Sequence, residues 1–373
     1  MSAFAKIGLG LGLVLAAQAA QTAAAPQAFA QSAGYYKNKT LTIVVGYPAG
    51  SAYVTYAQLA QRHIAAHLPG KPTVTIKFMP GAGSLIAANY LADVAPKDGT
   101  TIATLGRGTA MEPLLLGKKS KAKFDPRKLV WLGSLNNEVS LLVAWHTSGI
   151  KTFQETFEKP LLVAIGGIHG DAGVFARSVN SVMGTKFQII CCYHGSAQQN
   201  LALERGEVGA RMNYSWTALK RQHPDWLSGK KVNLLAQLAL DKHADLPNVP
   251  LVSDLVKDPE DRKIMEIVFA RQSMGRPYAA PQGISAERGQ MLRAAFAGLV
   301  KDPAFLADAD KSKIEINDPM SGEKVNALLD RLYQTKEETL NKLRAALETK
   351  GRTDLVIKYE PKKKQKKKNK VAE

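Results

Sequence analysis

Cysteine is scarce in this chain. Its 373 residues hold only two, and they are neighbours, Cys191-Cys192. Cysteine pairs at metal-binding spacing are therefore excluded. Adjacent cysteines are poorly placed for a bridge, which ordinarily wants a Cα separation of about 5.5 Å. These two fall inside the apolar run Phe187-Gln188-Ile189-Ile190-Cys191-Cys192-Tyr193 and read as small buried thiols. After residue 30 no apolar run reaches the about 20 residues that a membrane-spanning helix needs. Catalytic signatures are missing as well: there is no H-E-x-x-H, G-x-S-x-G or Walker loop. Gly81-Ala82-Gly83 lacks the third glycine of a dinucleotide fingerprint, and Cys192 and His194 share a strand face without forming a dyad. The chain does not read as an enzyme.

What is present begins at the first residues. Lys6 leads into the apolar run Ile7–Ala17, and small residues follow as far as Ala28-Phe29-Ala30. That order is a secretory signal peptide over 1–30, with cleavage after Ala19 or Ala25 as the alternative, and it predicts a periplasmic protein. About 340 residues then remain, enough for two domains. The formal net charge is +18, and seven lysines lie between Lys362 and Lys370. A block of like charge without apolar periodicity predicts a disordered tail over 349–373. The tail lacks the interleaved aromatics of a single-strand binder, so no nucleic-acid partner is expected; anionic lipid or surface polymer is its natural counterpart.

Between these ends, strand-like and helix-like segments alternate. Leu41–Gly46, Thr73–Met79 and Thr101–Gly106 are short β-branched runs, separated by helical patterns over about 52–68 and 84–94. The grammar repeats later, with strands at Leu161–Ile165, Lys186–Tyr193, Val208–Met212 and Val232–Leu240, and helices at Ala172–Met183 and Ala197–Arg205. From about residue 285 the chain reads as helical, ending in one long helix carrying Val325, Leu328, Leu332, Leu340, Leu343 and Leu347. Two βαβ units predict an α/β protein of two lobes with parallel-rich sheets flanked by helices. Lobe one is expected to combine 36–145 with 240–348, and lobe two to hold 146–239.

In open α/β sheets, ligands bind beyond the carboxyl ends of strands. Two strand–helix turns sit at such ends. The first is Tyr47-Pro48-Ala49-Gly50-Ser51-Ala52-Tyr53-Val54-Thr55-Tyr56, where small residues such as Ala49 and Ala52 let backbone N–H groups approach an anion. Ser51 and Thr55 add hydroxyls, and Tyr53 adds a flat face with a polar tip. The second is Gly166-Gly167-Ile168-His169-Gly170-Asp171, in which Gly167 and Gly170 open the backbone and His169 could pair with a carboxylate. Asp171 reads as a helix N-cap. Replacing Gly167 or Gly170 by valine is expected to obstruct the cleft or strain the turn. Tyr193 and Ser196 add donors at a third strand end, with Ser196 also placed to cap a helix; Asn213, Tyr214 and Trp216 could form a wall. Arg107, after a strand, suits a carboxylate fork or, equally, a surface ion pair.

Several of these segments resemble one family. Lys39–Gly50 is similar to the opening strand and loop of the tripartite tricarboxylate transporter receptors, also called Bug proteins. Met79-Pro80-Gly81-Ala82-Gly83-Ser84 resembles their P-G-A-G run, and Ala95-Pro96-Lys97-Asp98-Gly99-Thr100 their A-P-x-D-G-x turn. Leu246-Pro247-Asn248-Val249-Pro250 resembles their L-P-x-V-P segment, and Lys301-Asp302-Pro303 a late helix boundary. The resemblance runs in order from about residue 36 to 348. It implies a two-lobe periplasmic solute-binding fold, type II-like, with a hinged cleft. It also implies capture of a small carboxylate by loops 49–55 and 166–171, integral membrane permease subunits as partners, and no cofactor. A monomer is expected. Two departures stand out: Val54 occupies the family's Asp position, and Glu207-Val208-Gly209 lacks the acid of its G-x-V-D segment. A repurposed sensor or interaction protein of the same fold is the second reading.

Overall fold

The computed structural model describes residues 34–168, 170–193, 195–348 and, as backbone, 356–358. The signal-peptide segment, His169, His194 and the lysine block fall outside these residues. The first unit runs β1 (Thr40–Val45), α1 (Ala52–His63), β2 (Thr73–Phe78), α2 (Leu85–Asp93), β3 (Thr101–Thr104), α3 (Glu112–Leu116) and β4 (Val130–Ser134). The second runs β5 (Ser140–Trp145), β6 (Leu161–Ala164), α4 (Asp171–Met183), β7 (Phe187–Cys191), α5 (Gly195–Glu204), β8 (Ala210–Ser215), α6 (Trp216–Gln222), α7 (Pro224–Ser228) and β9 (Val232–Leu238). The chain then returns through α8 (Pro259–Phe269), β10 (Pro277–Ala280), α9 (Ala286–Leu299), α10 (Pro303–Lys311), β11 (Met320–Ser321), α11 (Gly322–Tyr333), α12 (Glu337–Ala346) and β12 (Val356–Lys358).

Two six-stranded sheets result, in the orders β11-β4-β10-β3-β1-β2 and β12-β7-β6-β8-β5-β9. In the first, β1 pairs in parallel with both β2 and β3, so its apolar residues are covered on both faces; Leu41, Ile43, Val44 and Val45 are fully buried. In the second, β6 pairs in parallel with β7 and β8. The returning strand β10 and the crossing strand β5 enter their sheets antiparallel. A continuous apolar core runs from Val44 and Leu105 through Met111 and Leu114 to Val163 and Ile189, so the lobes share buried surface. Phe175 of α4 meets Phe269 of α8 edge-on, with ring centroids 5.0 Å apart.

Four expectations need correction. Ser140–Trp145, placed in lobe one by the sequence, is a strand of the second sheet, between β8 and β9. Its six residues are buried throughout, so no alternation marks which sheet they join. The single long C-terminal helix is two, because residues 334–336 interrupt it; α12 then turns back onto α3, where Arg344 Nε donates to the Leu114 carbonyl at 3.1 Å. Val356–Lys358, expected in the disordered tail, adds a parallel strand to the edge at β7. Finally, Cys191 and Cys192 are joined as a disulfide across 3.8 Å between Cα atoms. Consecutive residues within a strand point to opposite faces, but β7 ends at Cys191 and Cys192 turns to a φ of 81°, which brings the two sulfurs together.

Two of the crossings between the sheets, β4 to β5 and β9 to β10, lie side by side. Leu135 N–H donates to the Arg276 carbonyl at 3.1 Å, Gly275 N–H to Asn136 at 3.0 Å, and Glu138 N–H to Gln272 at 2.9 Å. Segments 135–139 and 270–276 thus form a paired strap beneath the cleft. Gly275 is required there, since a Cβ would drive into the side chain and carbonyl of Asn136.

Candidate functional site

A cavity of about 610 Å³ opens between the sheets. The β1–α1 turn supplies Gly50, Ala52, Tyr53 and Thr55, and the β6–α4 turn supplies Gly166, Gly167, Gly170 and Asp171. The β8 strand and the start of α5 add Arg211, Asn213, Tyr214 and Ser196, while the strap contributes Glu138 and Arg276. The two turns therefore face one space, as their positions at parallel strand ends require.

The centre of this space is an ion-pair network. Asp171 receives Arg107 Nε at 2.5 Å on one oxygen and Arg271 Nη1 at 2.9 Å on the other. Arg107 also approaches Glu138 at 3.9 Å and donates from Nη2 to Asn213 Oδ1 at 3.3 Å; Glu138 pairs with Arg276 at 3.5 Å. Burial by itself would raise the Asp171 pKa, but the two guanidinium groups outweigh it and hold the carboxyl well below the usual carboxylate range. Burial likewise opposes the charge on Arg107, and Asp171 with Glu138 more than offsets it. Asp171 is thus the bridge between the lobes. Its expected capping role falls away: Gly170 is the N-cap residue, with no side-chain cap, and Asp171 opens the helix facing two cations.

Arg211 differs from Arg107 and Arg276, which line the cavity with it. It is buried on β8, with Nη1 donating to Asn200 Oδ1 at 2.5 Å and Nη2 to Ser196 Oγ at 2.9 Å, and it stacks 3.9 Å over the Tyr214 ring. All three partners are neutral, and among the described residues no carboxylate pairs with it. Burial pulls its pKa down to about 10, so it remains cationic at neutral pH while its charge is uncompensated. Its Nε is buried without a partner. A cation left in this state favours an anion from outside the protein.

The other sequence-predicted residues divide. Ser51 is the N-cap of α1, accepting from Val54 N–H at 3.4 Å, and neither it nor Ala49 lines the cavity. Thr55 lines it while its hydroxyl points back to the Ser51 carbonyl at 3.5 Å. Tyr53 stacks on Tyr47 with centroids 4.2 Å apart, and its hydroxyl accepts from Arg107 N–H at 3.0 Å. Ser196 does line the cavity, though its hydroxyl serves Arg211. Tyr193 is buried and lies off the lining. His169 lies outside the described residues. Sequence reasoning missed Glu138, Arg211, Arg271 and Arg276. For Arg211 a signal existed: an arginine inside the buried strand run Ala210–Ser215 needs polar partners in place of bulk water.

The tripartite tricarboxylate transporter family receptor profile matches residues 57–342. The chain belongs to this family. Solved structures agree on the fold. A TctC solute-binding protein from Polaromonas aligns with TM-score 0.62 at 19% identity, covering 83% of this chain and 97% of its own. An R. palustris protein solved with adipate gives 0.58 at 16%, covering 82% and 97%, and MatC from Rhodopseudomonas palustris with bound malate gives 0.54 at 20%, covering 83% and 99%. No curated protein matches the chain. Members of the family are receptors for solutes, not enzymes. Among the described residues no helix is long and apolar enough to cross a membrane.

Within this receptor family the chain's Val54 is a packing residue, 5% exposed in the core beneath α1. The loop glycines also need re-ranking. A Cβ at Gly167 meets nothing within 4 Å and one at Gly170 only a carbonyl at 3.6 Å, so valine there acts by filling the cleft and not by straining the turn. Gly173 is the tight position: a Cβ there would overlap the carbonyl oxygens of Gly167 and Ile168. Gly173→Ala is expected to displace the 166–168 turn and cost about 1–3 kcal/mol of stability, with weaker ligand binding, measured by urea denaturation and calorimetry.

Proposed function

We propose that this chain is an exported receptor that captures a small carboxylate between its lobes and delivers it to membrane permease subunits. The observation that carries the reading is Arg211, a buried guanidinium lining the interlobe cavity with only neutral partners. The family's transport role, and the adipate and malate bound by two structural neighbours, support the same ligand class. The glycine-rich turn before α4 lies beside Arg211, since Ala164 pairs with Arg211 across β6 and β8, and it offers a second carboxylate backbone donors at the helix start. A ligand with two carboxylates therefore suits the cavity better than one.

A thermal-shift and calorimetric screen of mono-, di- and tricarboxylates tests this. A dicarboxylate at 100 times its Kd is expected to add about 2.7 kcal/mol to the folding free energy. Its diamide analogue is expected to add nothing. Equal responses to acid and amide would sink the carboxylate reading. Uptake in cells that depends on both the receptor and its permease completes the test, and binding without such uptake would favour a sensor.

A further inference from the structure

A second cavity, of about 890 Å³, lies on the other side of the Arg107–Asp171 bridge. Tyr47, Arg107, Gly170 and Asp171 line both spaces, so the ion pair stands as a partition. The characters of the two differ. The second is walled by Leu85, Leu115, Leu116, Val174 and Leu347, contributed by α2, α3, α4 and the end of α12. Its volume falls in the range of small-molecule sites, about 300–1,000 Å³. Its lining residues include six Lys or Arg against three Asp or Glu, an excess of positive charge around an apolar floor.

One side chain gives this cavity a polar focus. Arg271 is 3% exposed and lines it. Its Nη1 holds Asp171, but Nε and Nη2 are buried with no partner. Those two N–H groups lie parallel on one edge of the guanidinium, the edge that matches the two oxygens of a carboxylate. Nothing in the solute-capture reading uses that edge, because the first cavity is served by Arg211.

We propose that the second cavity binds an amphiphilic monocarboxylate, a carboxylic acid with a hydrocarbon tail. The carboxylate takes the free edge of Arg271 and the tail lies on the leucines of α3 and α12. Entry requires a local shift that opens the buried Nε–Nη2 edge of Arg271 to the cavity while Nη1 keeps its hold on Asp171. The site is independent of the dicarboxylate reading.

Octanoate and succinate are the probes, titrated separately and together into the full mature protein. Each is expected to bind with a stoichiometry of one, and neither to displace the other. Leu116 is only partly buried, so Leu116→Trp leaves the fold intact and fills the cavity; it is expected to weaken octanoate by at least about tenfold, since the tail loses its apolar contact. Succinate binding should not change in that variant. Arg271→Gln is expected to weaken octanoate to a similar degree, with circular dichroism as the folding control. Arg211→Gln is expected to do the reverse, removing succinate and sparing octanoate. Absence of saturable octanoate binding, competition with succinate, or normal octanoate binding by Leu116→Trp would each overturn the proposal. Loss of succinate binding alone would sink the solute-capture reading and leave this one standing.

Discussion

Arg211→Met is expected to lower affinity for a dicarboxylate by about two to three orders of magnitude, while leaving the unliganded protein about as stable as before. The first half follows from what the ligand loses. Removing one member of a buried charged pair costs about 3–5 kcal/mol, because the remaining charge stays desolvated; about 1.4 kcal/mol corresponds to each factor of ten. The second half follows from the partners. Methionine gives up the bonds to Asn200 and Ser196, each worth about 0.5–1.5 kcal/mol net, or up to about 3 where the donor is charged. It also removes a buried cation that no carboxylate compensates, which offsets much of that loss. Arg211→Lys keeps the charge without the fork and should fall between. Calorimetry paired with thermal denaturation separates the two effects. A variant that binds normally would place the ligand's anchor elsewhere, and one that loses stability and affinity in step would make Arg211 structural.

Asp171→Asn is expected to be the most damaging single change to the fold at the cleft, costing about 3–5 kcal/mol by chemical denaturation, because it keeps the shape and strips the charge from a buried bridge. Arg271 would then have no anionic partner among the described residues, and Arg107 only Glu138 at 3.9 Å. The pH dependence has a definite sign. The folded-state pKa of Asp171 is depressed, so its contribution is fully present above the unfolded value of about 3.9 and is lost as pH falls through the lower folded value. The stability difference between wild type and Asp171→Asn should therefore be flat from pH 7 to about 5 and shrink only in stronger acid. A difference that vanished already near pH 5 would mean that the carboxyl is not held by the two arginines. The double variant Asp171→Asn with Arg271→Met should recover part of the loss, since it removes one of the stranded charges.

The alternation of strands and helices was legible because burial on both faces leaves a plain mark. β1 ends in the apolar, β-branched run Ile43–Val45, and Ser285 with Gly184 marked a helix start and a helix end through their backbone roles. The two loops that face the cavity were legible for a related reason: a parallel strand followed by a helix must place its turn at the same end of the sheet. Residues 140–145 were not assignable, since a strand buried on both faces can join either sheet. Nor was the break between α11 and α12, because Leu332 and Leu340 continue a helical spacing across residues that in fact turn the chain.

What the sequence by itself determined is the class of the protein, its two lobes of sheet and helix and the segments that carry the cleft, because periodicity, caps and turn residues act over a few positions. Which charges face each other only the tertiary structure decided. Arg107 and Asp171 are 64 residues apart, Asp171 and Arg271 100. Arg107, Arg211, Arg271 and Arg276 are indistinguishable along the chain, yet three meet Asp171 or Glu138 and Arg211 meets only neutral atoms. Which edges of a guanidinium are held by a carboxylate and which stay open is decided only in the folded chain, by how the sheets, the strap and the helices pack.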